Sequence, residues 1–148
     1  MKRIAIFAVA AAMLCAGTAE AYTVYDYGSV SLGSKTTEES VMVQLAQNGS
    51  PAAYRVQYTA QWTGWYHFRS AKYNNQSYDT YLMITTNPTA GDSVVTTYGR
   101  LAGYAASCGG LVAYDDDGEG SGQFGKDVYL SEGSTYYIYA GTYSSGVA

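Results

Sequence analysis

An all-β fold, an antiparallel β-sandwich or jelly roll of about eight strands, is predicted by three observations on this chain of 148 residues. Short runs rich in Tyr, Val and Thr recur along it, clusters of Gly, Asn, Asp and Ser separate them, and nowhere does an apolar 3.6-residue period persist for three turns. Residues of the first kind pack well on a pleated surface, the separators supply turn chemistry, and a long amphipathic helix needs the period that is missing.

The clearest alternation is Tyr54-Arg55-Val56-Gln57-Tyr58-Thr59, which puts Tyr54, Val56 and Tyr58 on one face and Arg55, Gln57 and Thr59 on the other. Thr63-Gly64 reads as a turn into Trp65–Arg69, where Tyr66 and Phe68 oppose Trp65, His67 and Arg69, so the pair is expected to form a hairpin sharing one inner face. Thr23–Leu32, Ser40–Ala46, Tyr78–Thr85, Gly110–Tyr114, Lys126–Ser131 and Thr135–Gly141 complete the expected strands. The connection Asn87–Gly109 is too long for a simple turn and reads as no single element; a short helix or an extra hairpin both fit it.

The first residues organise differently. Met1-Lys2-Arg3, the apolar run Ile4–Cys15 and the small residues Ala19-Glu20-Ala21 make a basic start, an apolar middle and an Ala-x-Ala cleavage site, so residues 1–21 are expected to be a secretory signal peptide and 22–148 a single β-sandwich domain. Leu14 and Ala12 do not fit lipoprotein processing at Cys15, and no later stretch approaches the roughly 20 apolar residues of a membrane-spanning helix. The expected location is therefore secreted, extracellular or periplasmic, with no membrane association after cleavage. The remaining chain carries six basic against eleven acidic residues, a net charge of −5, which disfavours a nucleic-acid partner. It keeps one cysteine, Cys108, so no internal disulfide forms.

Asp115-Asp116-Asp117-Gly118-Glu119 concentrates four carboxylates between two strand-like runs, and such a set repels itself unless a cation neutralises it. With Asp79 at the start of another strand, the candidate metal set is Asp79, Asp115, Asp116, Asp117 and Glu119, and the oxygen-only chemistry points to Ca²⁺. An Asp-rich turn capping backbone N–H groups accounts for the same residues without a metal. The spacing is not that of an EF-hand: the glycine comes early and Lys126 stands where its last carboxylate belongs. Gly120-Ser121-Gly122-Gln123-Phe124-Gly125 spells a dinucleotide fingerprint, but no helix follows and the upstream acids repel a pyrophosphate.

Four pieces in order make the chain from about Ala52 resemble the bacterial pre-peptidase C-terminal domain: Tyr54–Ala60 with Thr63-Gly64-Trp65-Tyr66-His67-Phe68; Tyr78-Asp79-Thr80-Tyr81-Leu82, similar to a "DTYL" strand start; Ala113-Tyr114-Asp115-Asp116-Asp117-Gly118, similar to an "NDDG" loop; and Gly133-Ser134-Thr135-Tyr136-Tyr137-Ile138, similar to "AGTYYI". The family's closing "YTLTV" strand has no counterpart before Ala148, so the domain is expected to lack its final strand, as a piece of a longer protein would, or else to leave an open sheet edge for another chain to fill. The resemblance implies a non-catalytic accessory module that aids secretion, targeting or adhesion to a substrate beside a hydrolase domain. Related collagen-binding modules of bacterial collagenases extend the partner class to an extracellular protein.

Catalysis finds little in the residues: His67 is the only histidine, Cys108 the only thiol of the processed chain, and no hydrolase motif occurs. The expectation is that the protein is not an enzyme. Exposed rings offer the other function, carbohydrate binding. If Tyr136, Ile138 and Ala140 face inward, Tyr137 and Tyr139 face outward, and with Tyr143 and Trp65 they make a candidate surface for a polysaccharide or an extended peptide.

Overall fold

The computed structural model describes residues 2–8, 24–34, 38–43, 53–71, 79–90, 101–105 and 107–143. Among them are nine strands, β1 (Lys2–Ala8), β2 (Val24–Val30), β3 (Glu38–Val43), β4 (Ala53–Thr59), β5 (Gly64–Ala71), β6 (Thr80–Thr85), β7 (Leu111–Asp115), β8 (Gly125–Leu130) and β9 (Thr135–Thr142), and one helix, α1 (Leu101–Ala105). Two sheets result, in the orders β3-β1-β5-β8 and β2-β4-β9-β6-β7, and the fold is an all-β sandwich.

Three expectations change. Among the described residues the strands number nine, because Lys2–Ala8 forms β1 in addition to the eight segments read as strands. The sheets are mixed and not purely antiparallel: β1 runs parallel to β3 and β5, and β2 parallel to β4, whereas β4–β9, β5–β8, β6–β7 and β6–β9 are antiparallel. The third concerns β4 and β5, which form no hairpin. They lie in different sheets, and the 60–63 connection crosses from one layer to the other.

That crossing explains the core. Val56 and Tyr58 of β4 and Tyr66 and Phe68 of β5, each 1% exposed or less, face one another across the sandwich instead of lying side by side. Leu82 and Ile84 of β6, Val128 and Leu130 of β8, and Tyr136, Ile138 and Ala140 of β9 fill the remaining space. Each large side chain contributes about 1.5–3 kcal/mol by leaving water. The two buried tyrosines meet edge-on at 5.7 Å, and Tyr66 donates its hydroxyl to the Trp62 carbonyl at 2.7 Å, which satisfies its polar atom.

The long connection also has a definite role. Part of it, Ala90, Leu101, Ala105 and Cys108, packs on the outer face of the five-stranded sheet against Tyr81, Met83 and Tyr139 and forms a second apolar cluster. β6 is consequently buried on both faces. Arg55 holds the start of this cover: its guanidinium donates to the Pro88 carbonyl at 3.0 Å, lies 5.8 Å from the Tyr137 ring centre and pairs with Asp26. The Arg55 hydrogen bond, helped by the Gly28 N–H, holds the Asp26 carboxyl below the usual carboxylate range.

The expected leader and the sheet meet at one place. β1 lies between β3 and β5, with Ile4 in register with Phe68 and Ala5 with Arg69, while the expected cleavage site falls outside the described residues. Removing residues 1–21 therefore separates β3 from β5 and frees one edge of β5. Hydrogen–deuterium exchange should show faster exchange of β5 amides in chain 22–148 than in the full chain, with β6 and β9 unchanged. Equal β5 protection in the two chains would contradict this pairing.

Candidate functional site

The acidic loop is positioned by hydroxyl groups from both sheets. Ser70 on β5 and Thr80 on β6, both buried, approach to 2.7 Å through their side-chain oxygens. The backbone N–H of Phe124 donates to Ser70 Oγ at 3.1 Å and to Thr80 Oγ1 at 3.2 Å, and the Thr80 N–H donates to the Gly122 carbonyl at 2.8 Å. Phe124, 1% exposed, drives its ring into the main core beside them. Gly120, Ser121 and Gly122 all have positive φ, of 76°, 55° and 71°, so the loop turns back on itself there. This is the structural use of the glycines that mimic a dinucleotide motif.

Within the loop the five candidate metal residues divide. Asp115 Oδ2 accepts the N–H groups of Gly118 and Gly125, each at 2.9 Å, and so ties the loop's start to its end. Asp117 Oδ1 accepts the Gly122 N–H at 3.1 Å. Glu119 turns to His67. Asp79, just before β6, faces the remaining negative charge: desolvation, then the charges of Asp117 and Asp116, push its carboxyl above the usual range. Because Asp79 is exposed, solvent screens much of that repulsion. Among the described residues no three His, Cys, Asp or Glu side chains converge as a metal-holding group. The five-residue set therefore fits Ca²⁺ only in part, with Asp115 and Glu119 committed to other partners and Asp79, Asp116 and Asp117 sharing one negative field.

His67, which the sequence places on the face of β5 opposite Tyr66 and Phe68, is held on both sides. Its Nδ1 lies 2.7 Å from Asp127 Oδ1 and its Nε2 lies 2.8 Å from Glu119 Oε1. It joins β5, β8 and the acidic loop. Cys108 is a free thiol buried in the cluster on the opposite outer face, so the two residues do not form a catalytic pair.

The concave feature of this end is a groove of about 990 Å³ between β7, at the margin of one sheet, and β8, at the margin of the other. Tyr81 forms its floor; the Tyr114 ring stacks near it, 6.2 Å away at 14°, and the Tyr143 ring lies 6.0 Å away at 44°. Burial, with the charges of Tyr114, Asp116, Tyr143 and Asp115 adding to it, pushes the Tyr81 phenol up to about 12. Across the groove stands Tyr129, 53% exposed and in edge contact with Trp65 at 5.5 Å.

The candidate ring surface is thus redrawn. Trp65 and Tyr143 are exposed as expected, at 57% and 43%. Tyr137 is half-buried beside Arg55, and Tyr139 is fully buried, because the long connection covers the face toward which both point. Tyr114, Tyr81 and Tyr129 were missed. The signal for Tyr114 and Tyr129 was available in the alternation of β7 and β8, but only the sheet order shows that these two strands border an open groove and that Tyr81 of β6 lines it.

These features define a class: an all-β sandwich with an aromatic groove beside a hydroxyl-anchored acidic loop. No family model, no curated protein and no solved structure matches the chain.

Two predictions follow from the loop. A Cβ at Gly118 would stand 2.0 Å from the Gly125 carbonyl oxygen, so Gly118→Ala should cost about 1–3 kcal/mol of stability in chemical denaturation, whereas Gly109→Ala, 3.9 Å from its nearest neighbour, should cost little. Asp79 binds its proton more tightly folded than unfolded, so its contribution is greatest below the unfolded value and is lost as pH rises through the folded one. Without divalent cations, Asp79→Asn should accordingly raise the melting temperature slightly at pH 7 and leave it unchanged near pH 3; an equal shift at both values would contradict the assignment.

Proposed function

We propose that this chain is a non-catalytic binding module of an exported protein, of the pre-peptidase C-terminal kind, that holds its ligand in the groove between β7 and β8. One observation carries the reading: an open groove of about 990 Å³, at the large end for ligand sites, is bordered by the exposed rings of Tyr114, Tyr129 and Tyr143. Tyrosines give large contact area at low entropic cost and keep a polar tip for hydrogen bonding, which suits adhesion to an extracellular polymer. The separation of His67 from Cys108 supports the absence of catalysis. In this reading Ca²⁺ is a structural ion drawn to Asp79, Asp116 and Asp117, and it relieves the repulsion that Asp79 feels. The module works in secretion, targeting or substrate adhesion beside a hydrolase.

A polysaccharide ligand is the second reading, favoured by the near-parallel Tyr81 and Tyr114 rings and by the exposed Trp65–Tyr129 pair. A binding panel of insoluble polysaccharides and extracellular-matrix proteins tests the groove. The expected outcome is retention of the parent on at least one polymer and loss of that retention in Tyr114→Ala. Retention that survives Tyr114→Ala, or none on any polymer, would overturn the groove as the site. Millimolar Ca²⁺ should raise the melting temperature of the parent but not of the Asp116→Asn, Asp117→Asn double variant; an equal rise in both would remove Ca²⁺ from the reading.

A further inference from the structure

We infer that the groove's ligand is an extended basic peptide, which adds as a strand along the free edge of β7 and sets its Arg or Lys side chains against Tyr114 and Asp116. The inference rests on the groove being the binding site and names what the groove takes.

The free edge comes first. β7 ends the order of the five-stranded sheet and pairs with β6 on one side, so its other side presents backbone N–H and C=O groups without a strand partner among the described strands. Edges of this kind are normally blunted by charge or proline. β8, the other strand bordering the groove, is blunted in that way by exposed Lys126 and Asp127. β7 carries no such charge: its sequence Leu111-Val112-Ala113-Tyr114 has none before Asp115, its pairing with β6 is irregular only beside Val112, and Val112 and Tyr114 are 37% and 48% exposed. A strand of another chain satisfies such an edge with main-chain hydrogen bonds. A sugar does not supply that regular ladder.

Charge decides what side chains that strand carries. Asp115, Asp116 and Asp127 line the groove against one cation, Lys126. Asp115 is already occupied by two N–H groups and Asp127 by His67, which leaves Asp116 with no hydrogen bond of its own among those described. A cation entering here meets carboxylate on one side and the rings of Tyr114 and Tyr143 on the other, a pairing of charge and ring face that the protein already makes internally between Arg55 and Tyr137. An acidic strand, or the β7 edge of a second copy with its own acids, brings like charges together instead.

Fluorescence polarisation on the full chain tests this with three labelled probes: a peptide alternating arginine with valine, the same peptide with glutamate for arginine, and a linear oligosaccharide. The basic peptide should bind, the acidic one should not, and moderate salt should weaken binding. Asp116→Asn should weaken it roughly threefold to fivefold, the scale of a partly exposed ion pair, and Tyr114→Ala by about as much, with circular dichroism unchanged. Equal binding of the two peptides, or basic-peptide affinity unmoved by both substitutions, overturns the inference. Oligosaccharide binding that Tyr114→Ala abolishes, with no peptide bound, also overturns it yet leaves the groove as the site. A dimer that Val112→Arg dissolves, with no probe bound, overturns both.

Discussion

Two buried hydroxyls, Ser70 on one sheet and Thr80 on the other, meet at 2.7 Å and together receive the backbone N–H of Phe124. Dispersion and hydrophobic burial hold sheets together without specifying their relative position, since apolar contact is non-directional. A directional polar contact in a dry core does specify it, because sliding one sheet would strand three polar groups away from water. The same contact pins Phe124 and with it the end of the acidic loop. The groove depends on it in turn, because the loop connects β7 to β8 and sets the separation of the two strands that border it.

From that anchor the loop's chemistry divides into structure and surface. Asp115 satisfies two backbone donors, Asp117 satisfies a third, and Glu119 reaches across to His67, which Asp127 grips from the other side. A run of carboxylates that looks in the sequence like a single cation cage is thus largely consumed in tying one end of the sandwich together. What remains exposed is a smaller negative field, felt by Asp79 and by the groove. The proposed cation and the proposed basic ligand would draw on the same field, so the two proposals imply competition between them.

On the outer face of the five-stranded sheet Ala90, Leu101, Ala105 and Cys108 bury Tyr81, Met83 and Tyr139 from outside. The proposed binding groove accordingly lies at the margin of the sheet and not on its broad face. β6 is buried on both faces, and Tyr81 shows the consequence: its ring belongs to the outer cluster and also lines the groove.

Much of the fold was legible in the sequence. Period-two alternation placed Val56, Tyr58, Tyr66, Phe68, Ile138 and Ala140 inside correctly, and the Gly and Asx clusters marked the connections, because both depend on near neighbours in the chain. Alternation says which residues share a face but not which sheet a strand joins, so β4 and β5 read as a hairpin and proved to be opposed layers. It is equally silent on what covers an outer face: Tyr137 and Tyr139 alternate as surface residues do, and a connection distant in the chain buries one and half-buries the other. The acidic loop was visible as four clustered charges, while His67, which takes Glu119, and the Ser70–Thr80 pair, which anchors the loop, come from segments brought to it only by folding. Local steric and hydrophobic rules determined the strands and their inner faces. The sheet order, the groove and the sharing of charge were decided by tertiary structure, because each depends on contacts between residues far apart in the chain.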